Sequence, residues 1–241
     1  MKKLALSLIV AVAAPAAFAQ WTQNNLINFP GAGSGGGDVS ALQGTETLFG
    51  WGAQTINSNT MADDFTVTGA GWTVHSITVY SYQTGATAPS ITGANWAVGA
   101  APTLTMAAAT TLSAGWWAPN GNAVYRTTST AFTDTTRRIQ EVVIDVDDFF
   151  LAAGTHYLSF NLSGTGASGP WVPAIPSANA VNGQNAFQST AGGAFVQAFV
   201  DGTTTGGDVP FVINATPVPE PATMIALGLG AAALLRRRAK K

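Results

Sequence analysis

The sequence predicts an all-β protein. The expected architecture is an antiparallel β-sandwich, jelly-roll-like, with a cleavable N-terminal signal helix and a single short C-terminal transmembrane helix. Three observations predict it. Between the two ends, Gly, Thr, Ser, Asn and Ala dominate, while Lys is absent and Glu and Leu are scarce; that composition disfavours helices and supplies turns and strands. Short stretches in the same region alternate apolar and polar residues with a period of two, the mark of a half-buried strand. Both ends differ from the middle, each pairing a compact apolar run with a cluster of cations, as membrane-directed segments do.

At the N-terminus, Met1-Lys2-Lys3 is a short basic region and residues 4–14 are apolar. Pro15 breaks the run, and Ala17-Phe18-Ala19 forms a small-x-small cleavage site before Gln20. Residues 1–19 therefore read as a secretory signal peptide cut at Ala17, Ala19 and Gln20. The alternative, an uncleaved anchor, sits badly with so short a run.

Residues 20–60 read as an N-terminal arm and Gly-rich loop that belong to the body. They contain Phe29-Pro30-Gly31 and the run Gly33-Ser34-Gly35-Gly36-Gly37. No Lys-Ser/Thr follows these glycines, so the run is a flexible loop and no phosphate cradle.

Residues 61–216 read as the sandwich. Residues 62–68 open the β region, and residues 72–82 form its longest strand. Strict alternation puts Trp72, Val74, Tyr80 and Tyr82 on one face and Ile77 and Val79 on the other, as in a central strand buried on both sides. Residues 95–106 give one or two short strands interrupted by Pro102, and Asn120-Gly121 is a hairpin-type turn before a strand at 124–126. Residues 139–146 alternate, with Val142, Ile144 and Val146 inward and Glu141 and Asp145 outward. Residues 155–162 do the same with Leu158, Phe160 and Leu162. Ala152-Ala153-Gly154 joins the two as a tight turn, which predicts an antiparallel pair. Residues 195–200 and 209–214 close the fold, for nine or ten strands in all.

Charge narrows the function classes. Residues 20–216 hold three arginines (Arg126, Arg137, Arg138), no Lys and eleven acids, hence a net charge of −8 against −2 for the whole chain. Such a surface repels nucleic acid. With no Cys, an exported body must rest on its core alone.

Candidate chemistry is sparse. His75 and His156 are the only histidines, and neither has a metal-ligating neighbour in sequence. Strand residues with satisfied hydrogen bonds are the expected reading, and a Ser-His-Asp triad assembled from distant positions is the alternative. The chain holds no Gly-x-Ser-x-Gly elbow. Asp145, Asp147 and Asp148 form the densest acidic cluster, a weak calcium candidate that Asp63 and Asp64 would complete if close in space. The EF-hand pattern fails because Phe150 stands where the loop glycine belongs, and a solvated loop is the simpler account. Trp96, Trp116, Trp117 and Trp171 lie near turns, Pro or Gly. Trp117 and Trp171 are the candidates for carbohydrate contact, set against the core positions most sandwich tryptophans occupy. Asn161-Leu162-Ser163 and Asn214-Ala215-Thr216 match a glycosylation sequon. No cofactor or metal is expected.

The tail is the most specific segment. Pro217, Pro219 and Pro221 make a stiff extended spacer, and residues 222–235 form an apolar run of 14 residues. As a helix the run spans about 21 Å, short of the roughly 30 Å hydrocarbon core, a deficit that snorkelling Arg236, Arg237 and Arg238 would reduce. A buried core helix is the alternative, but five cations directly behind the run argue for a basic stop at a membrane.

The triplet Pro219-Glu220-Pro221, the short apolar run and the Arg cluster resemble the PEP-CTERM sorting signal of Gram-negative bacteria, over residues 217–241. That resemblance implies recognition by exosortase, a membrane protease-transpeptidase, and an association with exopolysaccharide. The body also resembles uncharacterised PEP-CTERM surface proteins at Ala62-Asp63-Asp64-Phe65-Thr66-Val67, Ser81-Tyr82-Gln83-Thr84-Gly85, the stretch 138–146, Gly154-Thr155-His156-Tyr157-Leu158 and Ser168-Gly169-Pro170-Trp171-Val172-Pro173. It implies a β-sandwich and no known activity.

The expected function is that of a non-enzymatic protein of the cell surface or extracellular matrix. Its expected partners are the Sec export machinery, an exosortase-type protease, the membrane through residues 222–235, and polysaccharide, with no nucleic acid. A secreted hydrolase or carbohydrate-binding module is one alternative. An uncleaved, inner-membrane-anchored periplasmic protein is another.

Overall fold

In the computed structural model, residues 19–219 and Arg236 are described. The strands in chain order are β1 (Ala19–Gln23), β2 (Asp38–Ala41), β3 (Trp51–Gly52), β4 (Thr60–Val67), β5 (Trp72–Ser81), β6 (Ile91–Gly99), β7 (Ala107–Ala108) and β8 (Thr111–Trp116). They continue as β9 (Val124–Thr127), β10 (Gln140–Leu151), β11 (Gly154–Gly164), β12 (Trp171–Val172), β13 (Phe187–Ser189), β14 (Val196–Gln197) and β15 (Phe211–Pro217). Within residues 19–219 the helical content is three single 3-10 turns. None is long and apolar enough to cross a membrane, and the apolar run 222–235 lies outside the described residues.

Two antiparallel sheets face each other. The first has the order β1-β15-β5-β10-β8, and the second β14-β13-β4-β11-β6-β7. Between them lies one continuous core, fed by Val74, Ile77, Val79, Val142, Ile144, Phe211 and Ile213 from the first sheet and by Phe65, Leu158, Phe160 and Leu162 from the second. Each fully buried side chain of this size contributes roughly 1.5–3 kcal/mol. The fold is therefore an antiparallel β-sandwich, built on the predicted inward residues of β10 and β11.

Two expectations are corrected. β10 and β11 do not pair. β10 lies between β5 and β8 in the first sheet, and β11 between β4 and β6 in the second. The turn at 152–154, with Gly154 at φ +138°, arches across the sandwich. A hairpin and an arch bury the same alternate residues, so alternation could not separate them. In β5, Trp72, Val74, Ile77 and Val79 all join the main core, whereas Tyr80 packs on the outer face with Leu26, Trp117, Val124, Ile139, Ile175 and Val212. The cause is an irregularity at His75. β15 pairs Asn214 with Ser76 and then Ala215 with Val74; β10 pairs Asp145 with Ser76 and then Phe149 with Val74. His75 is thus passed over on both sides, and one extra residue reverses the phase of alternation.

The N-terminal arm is built into the sandwich. β1 is an edge strand of the first sheet, and the following segment lays Leu26 over the outer cluster. Further along, β2 pairs in parallel with β9, around a fully buried guanidinium. Arg126 Nε donates to the Phe49 carbonyl (2.9 Å) and Nη1 to Ser40 Oγ (3.0 Å). Nη2 lies 3.8 Å from Glu46 Oε2, a charge contact without a hydrogen bond. Burial lowers the Arg126 pKa to about 10, against the opposing pull of Glu46, so it stays charged at neutral pH. The Glu46 carboxylate in turn accepts from Ser177 N (2.7 Å), the Ser177 hydroxyl and Gln43 N (3.0 Å).

A candidate site on the outer face of the first sheet

At one end of the first sheet three adjacent strands converge on His75. Its Nδ1 lies 2.7 Å from Asp148 Oδ1 on β10, and its Nε2 lies 2.7 Å from Thr216 Oγ1 on β15. The local fold explains the meeting. Because β5 skips its partners at His75, the imidazole projects on the outer face. Residues 146–148 of β10 fall in the matching gap, which turns Asp148 toward the ring. On β15, Val212, Asn214 and Thr216 alternate outward between the core residues Phe211, Ile213 and Ala215. The His75 side chain is 37% exposed and that of Asp148 63%, so the group is open to solvent.

Further along the same face is a cleft of about 420 Å³, lined by Asn24, Thr78, Tyr80, Trp116, Trp117, Glu141 and Asn214 among others. Asn24 Nδ2 donates to the Tyr80 hydroxyl (3.1 Å), whose pKa is pushed up to about 12, mainly by burial with the Glu141 charge adding. The phenol is therefore a neutral hydrogen-bonding group in this cleft. Trp117 is only 5% exposed and meets Tyr80 edge-on at 4.9 Å, so it forms a wall rather than an open platform. Arg138 lies over the Trp116 ring at 4.6 Å. A second cavity, of about 590 Å³, is lined by Gln54, Ile56, Asn57, Ser163, Ser168 and Trp171. There Trp171 is half-buried and donates from Nε1 to Ser168 Oγ (3.1 Å). The two tryptophans put forward for carbohydrate contact, Trp117 and Trp171, thus line different pockets.

The acidic residues do not gather into an ion site. Among the described residues, no three His, Cys, Asp or Glu side chains are placed to hold a metal. Asp145 and Asp147 are exposed on β10, and Asp148 engages His75. Asp63 and Asp64 lie on β4 of the other sheet and act as fasteners. Asp63 Oδ2 accepts from Gln23 Nε2 (2.8 Å) and Val209 N (2.7 Å), and Asp64 Oδ1 from Asn185 Nδ2 (2.7 Å). Burial pushes the Asp63 carboxyl well above the usual carboxylate range, with Asp208 and Asp64 adding to the shift.

His156 is a strand residue whose Nε2 meets the Ala152 carbonyl at 2.8 Å. Trp96 stacks on Phe149 at 5.7 Å. The first sequon is closed inside the fold: Asn161 is buried and bonded to Thr55, Asn95 and Thr60. Asn214 Nδ2 donates to Ser76 Oγ (3.1 Å).

The two ends of the body meet. β1 is antiparallel to β15, with Ala19 opposite Ala215 and Gln20 opposite Asn214. The start of β1 and the end of β15 therefore leave the sandwich together. Ala17 lies outside the described residues, whereas Ala19 and Gln20 open β1. After β15 a last bond, Val218 N to the Gly71 carbonyl (2.8 Å), fastens the chain, and Pro219 is exposed. Glu220, Pro221, Arg237 and Arg238 lie outside the described residues, while Arg236 is exposed.

Where the sheet releases the chain, residues 217–239 match the profile of the PEP-CTERM protein-sorting motif. The chain carries a PEP-CTERM sorting signal. That motif marks an exported protein, sorted by exosortase at the membrane toward the cell surface. No curated protein and no solved structure matches the chain.

Proposed function

We propose that this PEP-CTERM protein is a structural component of the cell surface or extracellular matrix, associated with exopolysaccharide and not a turnover enzyme. The observation that carries the reading is the junction at Pro217. β15 ends at Pro217, followed by the Val218–Gly71 bond, and the sorting motif begins at Pro217. Processing after this point leaves the hydrogen-bonded body whole. The pairing of β1 with β15 supports the same picture, because the first and last strands of the body lie side by side, with Ala19 opposite Ala215 just before the sorting motif begins.

Polysaccharide is the ligand class favoured by the pocket chemistry. A sugar offers an apolar face to an aromatic ring and hydroxyls to amides and serines. The Trp171 cavity supplies Gln54, Asn57, Ser163 and Ser168 beside the indole, and the Trp117 cleft supplies Asn24, Glu141 and Asn214. Affinity electrophoresis through a gel containing exopolysaccharide from the producing organism tests this. Retarded wild-type protein and unretarded Trp171→Ala protein support the reading. Wild-type migration unchanged by polysaccharide removes it.

A further inference from the structure

We propose that Asp148, His75 and Thr216 form an orienter–base–nucleophile relay that makes the Thr216 hydroxyl an acyl acceptor for neutral carboxylic esters. Thr216 would then be a site of covalent modification one residue before the sorting motif.

The geometry carries the inference. Nucleophilic hydroxyls are recognised by a base within hydrogen-bond reach and a third group that orients the base. Here both contacts are 2.7 Å and use opposite nitrogens of one imidazole. With Asp148 accepting from Nδ1–H, Nε2 is left as the acceptor for the Thr216 proton. The ring has a carboxylate and a hydroxyl from strands on either side, at the position where β5 breaks register with both neighbours.

The surroundings select the substrate class. Asp145 and Asp147 are exposed on the strand that supplies Asp148, so anionic phosphoryl donors are repelled and neutral acyl donors are not. Phe150, 57% exposed, lies opposite Thr73, which lies opposite Thr216. This cross-strand row places apolar surface on the same face as the hydroxyl, suited to the hydrocarbon part of an acyl group. Asn214, which lines the neighbouring cleft, is two residues from Thr216 on the same outward face.

In the step, Thr216 Oγ1 attacks the ester carbonyl carbon and its proton passes to His75 Nε2. The carbonyl–oxygen bond to the leaving alcohol breaks, and the proton is delivered to that oxygen. An ester on Thr216 and a free alcohol result, with no net redox change. Asp148 is a positioning residue that holds the ring.

The probe is p-nitrophenyl acetate with the folded full-length chain, read by nitrophenolate release and by mapping the acetyl adduct. Wild type should acetylate Thr216 to about one equivalent. Loss of the base should slow that labelling by roughly a hundredfold. His75→Ala should recover in part with added imidazole, and Asp148→Asn should be slow while Asp148→Glu recovers. Thr216→Ser should label and Thr216→Val should not. Melting curves establish that each variant is folded, and His75→Gln replaces His75→Ala if the latter is not. No adduct on Thr216 in wild type, or equal labelling in folded His75 variants, overturns the relay. Acylation in a chain that shows no affinity for polysaccharide would retain the relay and remove the function proposed above.

Discussion

The buried guanidinium of Arg126 gives the sharpest stability prediction. Arg126→Met keeps much of the volume and the apolar stem but removes the charge and two hydrogen bonds, to Phe49 and Ser40. It also leaves the Glu46 carboxylate, fully buried at its side chain, without a cation. Breaking a buried pair by removing one partner costs about 3–5 kcal/mol, mostly from the charge left behind. In a domain of this size each kcal/mol moves Tm by about 2–4 °C, so the expected fall is roughly 6–20 °C. Glu46→Gln in the same background removes the stranded charge. The amide can still accept from Ser177, so Arg126→Met/Glu46→Gln should recover a substantial part of the loss, with a coupling of at least ~1 kcal/mol. Urea unfolding of the single and double variants measures both quantities. An Arg126→Met protein within about 1 kcal/mol of wild type, or a double variant whose loss equals the sum of the singles, would mean that charge pairing with Glu46 does not hold Arg126.

Three further outcomes follow from the same structure. Asp63, whose folded-state pKa is raised by burial, holds its proton longer in the folded chain than in the unfolded one. Its contribution to stability is therefore complete below the unfolded value near ~3.9 and is lost as pH rises through the folded value. Thermal melts should show Tm falling from mild acid toward neutral, and Asp63→Asn should flatten that slope; an unchanged slope in the variant contradicts the assignment. Gly71→Ala should destabilise by about 1–3 kcal/mol, because Gly71 sits at φ +114° and a Cβ there would lie 2.5 Å from the Leu151 carbonyl oxygen; an unchanged urea midpoint speaks against the close packing of this turn. Trp117→Ala should lower stability by roughly 3–5 kcal/mol, since its ring is a wall of the outer cluster, whereas half-buried Trp171→Ala should lower it less. Equal losses would mean the two rings are equally structural.

How much of this was legible in the sequence depends on which physical signal each feature leaves. Alternation identified the inward residues of β10 and β11 because a strand with one buried face must alternate. It could not say that the turn at 152–154 crosses between sheets, since the buried set is the same either way. The extra residue at His75 did leave a trace. Trp72 and Val74 keep one phase and Ile77 and Val79 the other, a slip that a bulge explains as well as two-sided burial does. Reading it as a bulge would have drawn attention to His75. The partners of His75 left no such trace, because Asp148 and Thr216 are 73 and 141 residues away in sequence and are joined only by strand order. Arg126 was equally hidden: a lone cation in a short strand looks like a surface residue until its partners Glu46, Ser40 and Phe49 are known. The sorting motif at residues 217–239 was legible, since its information lies in consecutive residues.

The proposed function requires that export and sorting remove both ends of the chain and leave the sandwich. Its most direct test is the intact mass of the mature protein isolated from the surface fraction of the producing cells. The expected species is a chain beginning at Gln20 and ending near Pro221, with any attached group adding to that mass. A species that retains Arg236 to Lys241 would contradict it, leaving the tail as a permanent anchor and the body on the inner membrane.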